Sequence, residues 1–447
     1  VQSVALRLIC DREDGIEAFQ PKEYWTITAF LEKEGARPPF EAKLHRIGDG
    51  EAEIPNAEEA RGLAGRIERA RLRVSKVERR ERRRRPPAPF ITSTLQQESS
   101  NKLRYSAKRT MSIAQALYEG IDLGRELGTG GLITYMRTDS VRLAPEAVGA
   151  ARAYIQENFS PGHLPGKPPV YKTGEMAQDA HEAIRPTDLR LHPDRIAGRL
   201  KPEQLALYTL IWRRFIASQM APAVYDQTSV DIAAEDLVLR ASGSVLKFPG
   251  FLDVYQDRTD ESPDAPPGGE EDNGQLANGR DRLLPPLEED DPLRLRGAEP
   301  AASGVLPEQH FTQPPPRYTE AALVKELEED GVGRPSTYAT ILDTLEKRRY
   351  VVIERRKRQF IPTALGREVN KLLVQGFPEV MDVKFTAKME SDLDEIEKGA
   401  APWLPILRSF YQNFDKTVQA AKKTLPNLKV HTEPIERACP SCGQPLV

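Results

Sequence analysis

Long apolar runs are missing from this sequence. No stretch of about 18 apolar residues occurs, so no membrane-spanning helix is expected. Cysteine is scarce: three in 447 residues, two of them in one CxxC at the far end. That excludes a disulfide scaffold and suits a reducing cytosol. No signal peptide is visible. The chain opens Val1-Gln2-Ser3-Val4 rather than on Met, with acidic residues from Asp11 onward, and so reads as a piece of a longer polypeptide. Net charge is also small, −3. Its distribution is uneven. Residues 257–300 carry 13 acidic and 5 basic side chains among Pro, Gly and Asn, and read as a disordered acidic loop. The remainder carries +5, compatible with a polyanion partner. The length allows two to four domains.

What is present centres on Gly131-Leu132-Ile133-Thr134-Tyr135-Met136-Arg137-Thr138-Asp139-Ser140. Two glycines, Gly130 and Gly131, lead into a β-branched apolar run. Leu132 to Met136 reads as a short strand, and Thr138 to Ser140 as the turn that ends it. Alternation puts Tyr135 and Arg137 on one side of the backbone. A phenol can attack phosphorus, and a guanidinium can hold phosphate oxygens as charge builds. An unperturbed phenol has a pKa of about 10, so such a nucleophile needs a cationic neighbour. The same pattern also fits a half-buried strand tyrosine beside a snorkelling arginine.

Further signals follow in chain order. Val4, Leu8 and Ile9 lie on one face of a first helix, and Tyr24 to Phe30 reads as a strand. Arg71 to Arg85 holds nine basic and two acidic residues and ends at Pro86-Pro87. It is either a solvated face or a phosphate-tracking surface. Ser106 and Gly120 bracket a helix whose Met111, Ala114, Leu117 and Tyr118 recur at core spacing. Residues 145–159 read as a second helix, before a Pro/Gly-rich loop. His181 sits in Gln178-Asp179-Ala180-His181-Glu182-Ala183-Ile184-Arg185-Pro186, between charged residues. Gln204 to Met220 is a core helix. Thr319 opens another, Ser336 is placed to cap the next, and Gly331 and Gly333 allow a sharp turn between them. A hairpin with a basic tip, Arg355-Arg356-Lys357-Arg358, follows. Helix–turn–helix plus basic hairpin alone permits a non-catalytic winged-helix DNA-binding protein.

Four segments together resemble the type IA DNA topoisomerases, the bacterial topoisomerase I group. They are Val1 to Ile9 with Phe90 to Gly120, Ile133 to Ser140, Ala180 to Pro186, and Arg317 to Ile341 with Tyr350-Val351. They span residues 1 to 398 in the family's order, with Phe385 to Glu390 and its acidic helix closing the series. The resemblance implies a multidomain α+β fold: a toroidal body with a helical, winged-helix-like base, β-rich arms and a tyrosine-bearing domain. The expected division is 1–30 base, 31–92 arm, 93–222 tyrosine domain, 223–315 arm with the 257–300 loop, 316–425 base, and 426–447 the start of a truncated zinc ribbon.

By the same resemblance, Tyr135 is the nucleophile of a 5′-phosphotyrosine link to one DNA strand. Arg137 supports the phosphate, and His181 lies beside the tyrosine and assists proton movement. Gln2, Arg185, Arg334, Ser336, Thr337 and Arg348 are the expected DNA contacts. Arg349 departs from the family, which commonly has glycine there. The implied reaction cleaves one strand, passes another and religates, without ATP, relaxing negatively supercoiled DNA. Single-stranded and negatively supercoiled DNA are the expected partners of a cytoplasmic, nucleoid-associated bacterial monomer. The family's Mg²⁺ is held by a Glu and an Asp-x-Asp-x-Glu cluster of an N-terminal Toprim domain, and nothing here matches that cluster. Cys439 and Cys442 have the spacing of half a tetracysteine Zn²⁺ site. The chain alone is expected to bind single-stranded DNA without relaxing supercoils. Tyrosine recombinases and relaxases arrange Arg, His and Tyr, or paired-His metal sites, in orders this sequence lacks.

Overall fold

The computed structural model describes residues 1–172, 181–256, 283–297, 301–354 and 356–425. The chain begins α1 (Gln2–Glu17), β1 (Glu23–Glu32), β2 (Phe40–Ile47), β3 (Gly50–Glu51), α2 (Ala57–Arg69) and β4 (Leu72–Arg84). It continues α3 (Thr92–Glu98), α4 (Ala107–Glu119), β5 (Ile121–Asp122), β6 (Thr129–Gly130), α5 (Pro145–Asn158), α6 (Pro193–Ile196) and α7 (Pro202–Ser218). Next come β7 (Ala223–Ala234), β8 (Leu237–Phe248), β9 (Pro292–Leu295) and β10 (Val305–Phe311). It ends α8 (Glu320–Glu329), α9 (Tyr338–Lys347), β11 (Val351–Ile353), β12 (Phe360–Pro362), α10 (Ala364–Gly376), α11 (Val383–Glu397) and α12 (Trp403–Thr424).

Polar residues set many helix starts. Ser106 Oγ accepts from the Arg109 amide at 3.2 Å and Thr319 Oγ1 from Ala322 at 3.1 Å, each satisfying an amide without a helical partner. Asn56 caps α2, with Glu58 and Glu59 in the first turn and Arg66 and Arg69 in the last, matching the helix dipole.

Among the described residues, three apolar cores result. The first gathers Phe90, Leu95, Leu117, Leu132, Ile133, Met136, Ile155, Ile184, Tyr208 and Phe215 around α7. A second lies inside an antiparallel sheet ordered β10-β1-β9-β4-β7-β8-β2-β3. There β1 also pairs with β2, so six strands close into a ring and leave few open edges. The third joins α1 to α8, α9 and the β11–β12 hairpin, from both ends of the described chain. Strand β7 contributes Tyr225 to the first core and Ile232 to the second, so β4, β7 and β8 form a ribbon between them.

The multidomain α+β expectation holds, and several local readings change. Leu132 to Met136 is not a strand: it is irregular, with one isolated bridge between Ile133 and Pro186. The arginine-rich run is one long strand, β4. The part of the acidic loop at 283–297 is ordered, since β9 joins the sheet and Leu287 and Leu293 enter its core. Within it Asp291 receives Lys33 at 2.6 Å. Residues 257–282 and 298–300 lie outside the described residues, as do Asp179, Arg355, Cys439 and Cys442. Thr337, not Ser336, is the N-cap of α9. Tyr118 is 40% exposed rather than packed in the core.

Candidate active site and nucleic-acid interface

Polar attachments hold the tyrosine segment along its length. At its start, Leu132 donates its amide to the Leu117 carbonyl at 2.7 Å. This close approach needs glycine next door, because a Cβ on Gly131 would fall 2.5 Å from the Tyr118 carbonyl oxygen. In the middle, Thr134 Oγ1 donates to the Ala183 carbonyl at 2.7 Å and accepts from the Arg185 amide at 3.0 Å. At its end, Thr92, wholly buried, donates from Oγ1 to the carbonyls of Met136 (2.8 Å) and Thr138 (3.0 Å). The same oxygen accepts from the Thr138 amide at 2.8 Å.

Between these attachments the expected alternation appears without a strand. Met136 and Thr138 are buried, while Tyr135 and Arg137 are exposed. The Tyr135 ring, on a side chain 39% exposed, has His181 at 6.0 Å and Tyr118 at 5.3 Å between centroids. Arg137 lines a cleft of about 190 Å³ with Lys108 and Met111 of α4 and with Pro335, Ser336, Ala339, Thr340 and Asp343 around the start of α9. The structure therefore brings Tyr135, Arg137, His181 and Ser336 to one surface region.

The other expected contacts are placed differently. Arg334 is engaged inward: its fork donates to Asp394 at 3.2 and 2.6 Å, and Nη1 to the Gly333 carbonyl at 2.8 Å. Thr337 Oγ1 accepts from the Arg334 amide at 2.8 Å, so its hydroxyl closes the Gly333-Arg334-Pro335 turn. Arg185 is 15% exposed and bound to Glu182 at 2.8 Å. Arg348 is exposed at the end of α9, and Gln2 is half-buried at the start of α1. Arg349 takes the left-handed conformation, φ 57°, in which the family's glycine would be unstrained. Its amide reaches the Glu346 carbonyl and that of Tyr350 the Leu345 carbonyl, a Schellman ending to α9 with arginine in the glycine position.

Thr92, Tyr118, Lys108 and Glu328 were not singled out as site residues in the sequence. Glu328 on α8 accepts from Ser93 Oγ at 2.6 Å and from Gln97 Nε2 at 3.4 Å. Burial pushes its carboxyl above the ordinary range, with Glu329 and Asp139 adding to this and the two donors opposing it. Their only signal was adjacency to motif residues, since the bonds that matter span 44 to 235 positions. Among the described residues, no group of three or more His, Cys, Asp or Glu is placed to hold a metal ion. The described residues thus do not fit a resident Mg²⁺. Nor, among the described residues, is any helix long and apolar enough to cross a membrane.

Fold and site together define a multidomain α+β protein with an exposed tyrosine beside a histidine, and an arginine two positions on that lines a cleft. The DNA topoisomerase family model matches residues 1–408, and the chain belongs to that family, in its type IA branch. It is 41% identical to the DNA topoisomerase 1 of Rickettsia felis, over 99% of this chain and 56% of that protein. It also resembles the full-length topoisomerase I of Thermotoga maritima, with a TM-score of 0.76 and 33% identity over 99% of this chain and 66% of that one. The chain spans about half the length of the curated relative it matches.

Proposed function

We propose that this chain carries the nucleophile of a type IA topoisomerase. Tyr135 Oη attacks a backbone phosphorus of single-stranded DNA. The bond from phosphorus to the 3′ oxygen breaks, leaving a 5′-phosphotyrosine and a 3′ hydroxyl. Religation is the reverse, so no ATP is consumed. Arg137, exposed beside the α9 cleft, stabilises the charge that builds on the phosphate oxygens. His181, its ring 6.0 Å from that of Tyr135 between centroids, handles the phenol's proton. Ser336 and Arg348 contact the backbone beside the break, whereas Arg334 and Thr337 shape the turn that presents Ser336. Gln2 at the start of α1 and Arg185 support the groove indirectly.

Mg²⁺, held by the acidic cluster of a Toprim domain outside this chain, would neutralise the phosphate. Zn²⁺ would need Cys439, Cys442 and two further ligands. The proposed partners are single-stranded and negatively supercoiled DNA, acted on by a monomer in a bacterial cytoplasm near the nucleoid. The domain division given above is part of this proposal.

The observation that carries it is the meeting of exposed Tyr135 with His181 across 46 positions, in a chain of this family. The test is covalent trapping on 5′- and 3′-labelled single-stranded oligonucleotides, with and without a separately supplied Toprim domain and Mg²⁺. The expected result is an adduct on the 5′ phosphate that needs the added domain and vanishes in Tyr135→Phe. Duplex binding with no Tyr135-dependent adduct would instead support a winged-helix binder. Efficient relaxation of supercoils by the chain alone would overturn the dependence on the added domain.

A further inference from the structure

Two helices of different cores meet at the tyrosine segment. Leu95 of α3 belongs to the core around α7, and Leu323, Val324 and Leu327 of α8 to the core around α1. Their polar contact is Ser93 on Glu328, reinforced by Gln97. Ser93 is 2% exposed and its neighbour Thr92 wholly buried. Consecutive residues at a helix start point in different directions. Here one faces the partner helix and the other the tyrosine segment. Thr92 holds the peptide groups on both sides of Arg137: its hydroxyl reaches the Met136 and Thr138 carbonyls, and its own amide donates to Thr138 at 2.9 Å. The segment has no strand ladder of its own, so these bonds replace the pairing that would otherwise fix it.

We propose that Thr92, seated through Ser93 on Glu328, is the positioning residue that sets the Tyr135–Arg137 segment, so that packing of α3 on α8 assembles the nucleophile. The proposal rests on the functional reading of Tyr135 above. Thr92 touches no reacting atom. It fixes the backbone between the nucleophile and its cationic partner, where a displacement of about 1 Å can cost on the order of 100-fold in rate. Glu328 extends the relay, since a break at the α3–α8 contact frees the helix that carries Thr92. Thr94 and Gln96 on the same helix make no such bond to the segment: Thr94 Oγ1 turns back to the Ile91 amide.

The test compares Thr92→Val, which keeps shape and loses the hydroxyl, with Thr92→Ser, which keeps the hydroxyl. Two readouts are taken on the full chain: hydrogen exchange of amides 135–139, and single-turnover cleavage with the Toprim domain supplied. Thr92→Val is expected to exchange at 135–139 at least about tenfold faster and to cleave about 10- to 100-fold more slowly, with single-strand affinity and α7 exchange unchanged. Thr92→Ser is expected to restore both. Ser93→Ala, which removes the shorter of the two bonds to Glu328 and leaves that from Gln97, should raise exchange at 135–139 by a smaller factor, and serves if Thr92→Val does not fold. Unchanged exchange and cleavage in Thr92→Val overturns the proposal, and so does a Thr92→Ser variant as impaired as Thr92→Val. If wild type forms no Tyr135 adduct, the functional reading falls, and the exchange comparison still decides the clamp.

Discussion

Thr134 Oγ1 donates to the Ala183 carbonyl at 2.7 Å, and this bond sets two distant stretches side by side. Thr134 precedes Tyr135, and Ala183 lies two positions after His181, so one hydroxyl fixes how the two rings approach. The same oxygen is the acceptor for the Arg185 amide. Thr134→Val leaves that amide without its partner, at a cost of about 1–3 kcal/mol in urea unfolding. Adduct formation should fall in parallel while single-strand affinity holds. An unchanged adduct rate would detach His181 from the chemistry.

Gly131→Ala tests the approach of the segment to α4. The added Cβ would sit 2.5 Å from the Tyr118 carbonyl oxygen, a backbone atom that cannot swing aside. The expected loss is about 1–3 kcal/mol, as for overpacking. A crystal structure of the variant should show Tyr135 displaced from Tyr118.

Arg334 and Arg348 are predicted to differ in salt dependence. Arg348 is exposed, whereas Arg334 already holds Asp394 and the Gly333 carbonyl. Arg348→Ala should lower the slope of log affinity against log salt for single-stranded DNA by about 0.7. Arg334→Lys gives up the two-pronged contact, weakens binding through the turn and leaves the slope unchanged. Fluorescence titration at several salt concentrations reads both.

Arg349→Gly should stabilise the protein. Arginine at φ 57° carries a left-handed cost of about 1–2 kcal/mol, partly offset by the greater freedom of glycine when unfolded. The expected gain is up to about 1 kcal/mol by urea titration, and a loss would show that the Arg349 side chain makes compensating contacts.

Glu328 gives a pH dependence whose sign follows from its raised carboxyl. The fold prefers the protonated form. Its favourable contribution is complete below the unfolded-chain pKa, about 4.3, and is lost as pH rises through the higher folded value. Glu328→Gln removes the ionisation and keeps an acceptor for Ser93. Relative to wild type it should gain stability between pH 4 and pH 7, and the opposite trend would mean that the charged form is the favoured one.

The physical reasons for the misread elements are specific. Leu132 to Met136 has strand composition, but it meets the 183–187 stretch at a single bridge and the Leu117 carbonyl on its other side, rather than a ladder along one neighbouring strand. Ser336 and Thr337 are equally good caps by type, and closure of the turn by Thr337 on Arg334 decides between them. Tyr118 falls at core spacing on α4, yet the helix ends there beside the site.

The sequence by itself determined the family, the α+β class, the starts of α4 and α8 through Ser106 and Thr319, and the placing of Tyr135 and Arg137 on one side of the backbone, because alternation and capping act between neighbours. Only the tertiary structure decided what stands around the tyrosine. His181 reaches it by a ring contact, Thr92 by hydrogen bonds to the segment and Glu328 through Ser93, across tens to hundreds of residues, and such contacts depend on the docking of whole helices, which local spacing does not encode.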